Sequence, residues 1–135
     1  MAAPIELLKR VPLFHGLDDK QLDTLARNFT DRTFSEGQQV TAEGSGGVGF
    51  FVIEKGEATV SVGGDDRRTL GPGDYFGEVA LIDEGARSAT ITATSDLRCY
   101  GLTPWQFRPL VEDNASIAWP LLQSMAKRLR ENDGR

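Results

Sequence analysis

The sequence predicts a mainly β domain: a jelly-roll-like antiparallel β-barrel with helices before it and two helices after it. Three observations carry that prediction. Between Thr30 and Leu102, short runs rich in β-branched and aromatic residues alternate with Gly/Asp turns at regular spacing. Glycine occurs 15 times in 135 residues, above ordinary usage, as many tight turns require. The two flanks instead place their apolar residues at helical intervals. Regular short strands with turn signals point to a sandwich or barrel and away from βαβ units.

One domain is expected over 1–135, in three parts. Residues 1–29 form an N-terminal helical segment. Pro4 suits a first helical turn, and Ile5, Leu7, Leu8 and Val11 follow near helical spacing. Asp18, with Gln21 three residues on, is a capping-box pattern before the apolar face of Leu22, Leu25, Ala26 and Phe29. Residues 30–102 form the barrel, with strands expected at Asp31–Phe34, Gln39–Ala42, Gly49–Glu54, Glu57–Val62, Arg67–Leu70, Tyr75–Phe76, Ser88–Ala93 and Leu97–Leu102. Residues 103–132 return to helix. Thr103-Pro104 is a cap followed by a first-turn proline, and Phe107, Leu110 and Val111 give one face. Asn114 can cap a last helix running toward Asn132. Its expected apolar stripe is Ala118, Leu122, Met125 and Leu129, with Ile117 and Leu121 beside it and Pro120 bending the first turns. Trp105 and Cys99 are expected in the core, and for Trp119 core and interface stand as equal alternatives.

Charge and composition exclude several functions. Net charge is −5, so no global basic field exists for nucleic acid, and no direct nucleic-acid binding is expected. No apolar run reaches the length of a membrane helix. Glu6, Lys9 and Arg10 interrupt any signal-peptide core, so the expected location is cytoplasmic. One cysteine and one histidine build neither an internal disulfide nor a His/Cys metal site, and leave little for nucleophilic catalysis. The chain is expected to be no enzyme, to hold no metal and to carry no cofactor.

Two glycine-containing segments invite a phosphate reading. Gly44-Ser45-Gly46-Gly47-Val48-Gly49 matches G-x-G-x-x-G, but a strand, Phe50–Ile53, follows it rather than a helix. A pyrophosphate would have no helix N-terminus to meet there, and a hairpin loop is the better reading. The segment from Gly71 to Thr90 is different. Gly77 allows close backbone approach, and Glu78-Val79-Ala80-Leu81-Ile82 suits a single helical turn whose free N–H groups attract an anion. Arg87 stands among the small residues Ala86, Ser88 and Ala89, where a guanidinium suits bidentate contact with phosphate. Glu78 could accept from a sugar hydroxyl. On the residues alone, a Glu78–Arg87 ion pair that ties down the loop is the competing reading.

The segment Phe76-Gly77-Glu78-x-Ala80-Leu81, followed by Ala86-Arg87-Ser88-Ala89-Thr90, resembles the phosphate-binding cassette of the cyclic nucleotide-binding domain family. That family includes the sensor half of bacterial catabolite activator proteins and the regulatory subunits of cAMP-dependent kinase. The resemblance extends to Leu8–Phe14 with Gly16-Leu17, Glu43-Gly44, Phe51–Ile53, Gly56–Ala58, Gly71–Asp74 and Met125–Leu129, hence to residues 4–132. It implies that Glu78 accepts the ribose 2′-hydroxyl, that Arg87 and Ser88 hold the cyclic phosphate, and that backbone amides near Gly77, Val79, Ala80 and Ala89 complete the cradle in cassette 76–90. The last helix would cover the purine, with Asn132 positioned to contact it. A serine after the arginine accompanies cAMP in bacterial members, so cAMP is the expected ligand and cGMP the alternative.

The expected function is therefore a non-enzymatic sensor whose C-terminal helices change docking on binding cyclic nucleotide, read by a downstream protein partner. The chain stops at Arg135, short of a helix-turn-helix. Two alternatives follow: the sensor half of a truncated DNA-binding regulator, and a protein-interaction domain that keeps the fold without binding nucleotide.

Overall fold

The apolar side chains that the short strands carry must be buried, and burying them gives two packed sheets. The computed structural model describes residues 3–41, 49–77, 81–82 and 89–133, of which residues 132 and 133 by backbone alone. Among these, eight strands run β1 (Thr30–Phe34), β2 (Gln39–Thr41), β3 (Phe50–Lys55), β4 (Ala58–Val62), β5 (Asp65–Leu70), β6 (Tyr75–Phe76), β7 (Thr90–Ala93) and β8 (Leu97–Leu102). They form antiparallel sheets of order β1-β8-β3-β6 and β2-β7-β4-β5. The ladders stay within each sheet, and the two sheets meet through side chains. The architecture is thus the jelly-roll-like antiparallel fold with flanking helices that the sequence predicts, its two sheets packed as a sandwich rather than closed into a barrel.

Odd and even residues of β3 serve different cores. Phe51 and Ile53 face the second sheet, with Ala58, Leu70, Phe76, Ile91, Leu97 and Cys99. Phe50 and Val52 face outward and are covered by helices: α1 (Ile5–Leu8), a 3-10 turn at Pro12–Phe14, α2 (Asp19–Ala26), α3 (Pro104–Asp113) and α4 (Ala115–Asp133). Burial holds the Cys99 thiol far up, at about 12, so it is protonated at neutral pH and acts as a small apolar residue. On the helix-covered face, Arg98 clamps β1 and β3 to β8. It donates to both carboxylate oxygens of Asp31, at 3.2 and 2.7 Å, and lies 3.5 Å from Glu54. The hydrogen bond from Arg98 lowers the pKa of Asp31.

Both local capping signals are present. The Asp18 side chain accepts from the Gln21 amide while the Gln21 side chain accepts from the Asp18 amide. Thr103 and Gln106 repeat the arrangement at the start of α3. Asn114 departs from expectation. Its side-chain amide donates to Leu110 O at 2.8 Å, so it closes α3 rather than capping α4.

Pro120 has no N–H to give to the carbonyl four residues back. That carbonyl, on Ser116, accepts instead from Gln21 Nε2 at 2.9 Å. The proline ring rests on Gly16, where an added Cβ would lie 3.1 Å from Pro120 Cβ. The gap in the helix ladder thereby becomes a tie between α4 and the N-terminal helices.

Two core assignments are corrected. α4 packs through Ile117, Leu121 and, partly, Met125, while Leu122 and Leu129 of the expected stripe stand in solvent. Leu122 lies about 100° around the helix from Leu121, off the line of contact. Trp105 is 65% exposed, because α3 buries Phe107, about 200° away on the same helix. Trp119 is equally exposed.

Candidate ligand-binding site

The cassette leaves one sheet and lands on the other. β6 pairs with β3 through Phe76↔Phe51 and Tyr75↔Val52. The Phe76 ring stacks on Phe51 with centroids 5.3 Å apart. Gly77 follows at φ +83, a conformation a side chain disfavours, and it turns the chain off the edge of the sheet. Leu81 is buried in the helix-side core, whereas Ala89 packs against the core between the sheets. β7 then begins at Thr90 and pairs with β4 through Ser61↔Thr90 and Val60↔Ile91. The two described ends of the cassette, Phe76 and Ala89, thus meet the core between the sheets from opposite sheets, while Leu81 meets the helix-side core.

Of the residues singled out from sequence, Gly77 and Ala89 are placed at these two anchor points. Glu78, Val79, Ala80, Arg87 and Ser88 lie outside the described residues. Asn132 lies in the last turn of α4, and its side chain is outside the description.

One residue on the rim was not singled out. Arg68 lies opposite Val60, and Leu70 opposite Ala58, in the β4–β5 ladder. Ala58, Val60 and Leu70 all face the core between the sheets. Strand alternation puts Arg68 on that same face, on the strand pair that also carries the Ala89–Thr90 end of the cassette. It is solvent-exposed and forms no ion pair among the described residues. Its sequence setting, Asp65-Asp66-Arg67-Arg68, reads as a solvated hairpin. The two-residue step to buried Leu70 was the signal that could have found it.

Among the described residues no helix is long and apolar enough to cross a membrane.

Comparison with known proteins agrees with this architecture. The cyclic nucleotide-binding domain model matches residues 31–114, more than half of the chain. The chain is 33% identical over 131 residues to the cyclic AMP receptor protein of Thermus thermophilus, covering 93% of this chain and 61% of that protein. It is 31% identical over 128 residues to a cGMP-dependent protein kinase of Plasmodium berghei, covering 94% of this chain but only 14% of the kinase. Among solved structures, the N-terminal domain of a transcriptional regulator from Streptomyces coelicolor superposes with a TM-score of 0.89 at 28% identity, covering 95% of each chain. The chain therefore spans less than two-thirds of the length of these full-length relatives. On the match to residues 31–114 and the agreement of the fold, the chain belongs to the cyclic nucleotide-binding domain family.

Proposed function

We propose that this domain is a non-enzymatic cyclic nucleotide sensor of the cytoplasm, with cAMP as its ligand. A downstream protein reads the position of its C-terminal helices. The observation that carries the reading is the cassette itself. Its glycine, glutamate and arginine stand in family order between two anchors, Phe76 and Ala89, held on opposite sheets. In this reading Glu78 takes the ribose 2′-hydroxyl, and Arg87 with Ser88 takes the phosphate. Amides from Gly77 to Ala80 and at Ala89 close the cradle. The net charge of −5 supports a module that does not itself grip DNA.

A second reading, cGMP as the ligand, is favoured by Arg68. A guanidinium fork fits the O6 and N7 acceptors of guanine in a bidentate way and has no such match on adenine, whose corresponding edge carries an amino donor. Ser88 favours cAMP, Arg68 favours cGMP, and titration with both nucleotides decides between them.

The test of the site is a cycle of ligands and variants. Removing the ribose hydroxyl is expected to weaken binding to the wild type and to leave Glu78→Ala nearly unaffected. Calorimetry with cAMP and 2′-deoxy-cAMP on both proteins measures it. Additive losses would mean that Glu78 does not read the ribose.

The output is proposed to leave through the second half of α4. Its first half is already held by buried Ile117 and Leu121, by the Gln21–Ser116 hydrogen bond and by Pro120 on Gly16. The second half carries exposed Leu122 and Leu129 and has less to lose by moving. Saturating cAMP is therefore expected to slow amide exchange in 122–132 as well as in 77–89, with 115–121 little changed. Protection confined to 77–89 would remove α4 as the switch.

A further inference from the structure

A cavity lies at the β1 side of the first sheet and, among the described residues, is lined by none from the cassette. Its floor follows from register. Thr30, Gly101 and Phe51 sit side by side across β1, β8 and β3, on the face that looks into the sandwich. An added Cβ on Gly101 would come within 2.8 Å of Phe51 Cε1. The missing side chain is what lets the Phe51 ring lie across β8 and leaves a hollow above it. The hollow has a volume of about 160 Å³ and is bounded by Thr30, Arg32, Phe51, Gly101, Trp105 and Gln106.

Among the described residues of that lining, Arg32 is the one that is charged. Its guanidinium carbon stands 5.6 Å from the Phe34 ring centre and 5.9 Å from that of Phe51. The adjacent Asp31 is on the opposite face and is already bound to Arg98. Among the described residues the Arg32 side chain makes no ion pair and no hydrogen bond. The exposed Trp105 indole forms another wall, and the Gln106 side-chain oxygen is held by the Thr103 amide at 3.0 Å, which fixes that side chain at the rim.

We propose that this cavity is a second ligand site, for a small aromatic monocarboxylate. Size, charge and walls each narrow the choice. A cavity of roughly 150 Å³ is enough for one benzene ring. A single guanidinium without a second cation nearby suits a monoanion, and its planar fork matches a carboxylate. Phe51 and Trp105 offer ring faces and edges on which an aromatic group gains more than an aliphatic one of equal size.

The test uses the full chain with Trp119→Phe, which leaves Trp105 as the only indole, and benzoate as the probe. Benzoate is expected to change Trp105 fluorescence saturably. Acetate, which lacks the ring, and benzyl alcohol, which lacks the charge, are expected to bind at least about tenfold more weakly. Arg32→Gln, at an exposed position, is expected to weaken benzoate about tenfold or more while leaving cAMP affinity unchanged. No saturable response to benzoate would overturn the proposal. So would equal binding by Arg32→Gln, equal binding of acetate or of benzyl alcohol, or displacement of benzoate by cAMP, which would make the cavity part of the nucleotide site.

Discussion

Arg87→Ala is expected to lose at least tenfold in affinity for cAMP. The reason is asymmetric. A cyclic phosphate held in a cradle of backbone amides has given up much of its water, and removing its counter-charge leaves the anion with only neutral donors. Truncating one member of such a pair costs roughly 2–5 kcal/mol, and about 1.4 kcal/mol is one decade in affinity. The small neighbours Ala86, Ser88 and Ala89 offer no substitute cation. Arg87→Lys keeps the charge but not the fork, so it should fall between the wild type and alanine. Calorimetric titration of the three proteins measures the series. Equal affinities for wild type and alanine would remove Arg87 from the site. No binding by the wild type would favour a domain that keeps the fold without binding nucleotide.

Phe50→Ala is expected to lower stability by about 3–5 kcal/mol, the usual cost of emptying a buried phenyl site. Phe50 is fully buried where the N-terminal helices meet the first sheet. Its ring takes edge contacts from Phe14 at 5.8 Å and Phe29 at 6.0 Å, with Tyr75 at 6.2 Å. Phe14 belongs to the turn against which α4 packs, so the void would loosen three layers at one point. A domain holds only about 5–15 kcal/mol in total, so the loss is a large share of it. Guanidinium denaturation should show a lower midpoint with an unchanged slope. A loss below about 1 kcal/mol would mean that the helices collapse onto the sheet and refill the space.

The legible and the illegible parts of the site divide along the same physical line. The proposed cassette rests on Gly77, Glu78 and Arg87 standing close together in the chain, and the structure describes only its ends, at Gly77 and Ala89, and Leu81–Ile82 between them. Arg68 was not singled out because its two-residue step from Leu70 says that the two share a face but not which face looks into the sandwich. Only its pairing with Val60, and that of Leu70 with Ala58, decides it.

Interactions that span three or four residues were written in the chain. The capping box at Asp18–Gln21 and the cap at Thr103 were legible because cap geometry is local. The strands were legible because short β-branched and aromatic runs are punctuated by Gly/Asp turns, which is also local chemistry. What only the tertiary structure decided is which apolar residues find a partner. α4 carries Ile117 and Leu121 on one side and Trp119, Leu122 and Leu129 on another, and helical spacing ranks neither. The choice falls to the first side because Gly16 leaves room for Pro120 and because Gln21, 95 residues away, fills the bond that the proline leaves open at Ser116. A proline announces an orphaned carbonyl from its own position, but the donor that satisfies it is named only when distant parts of the chain are brought together.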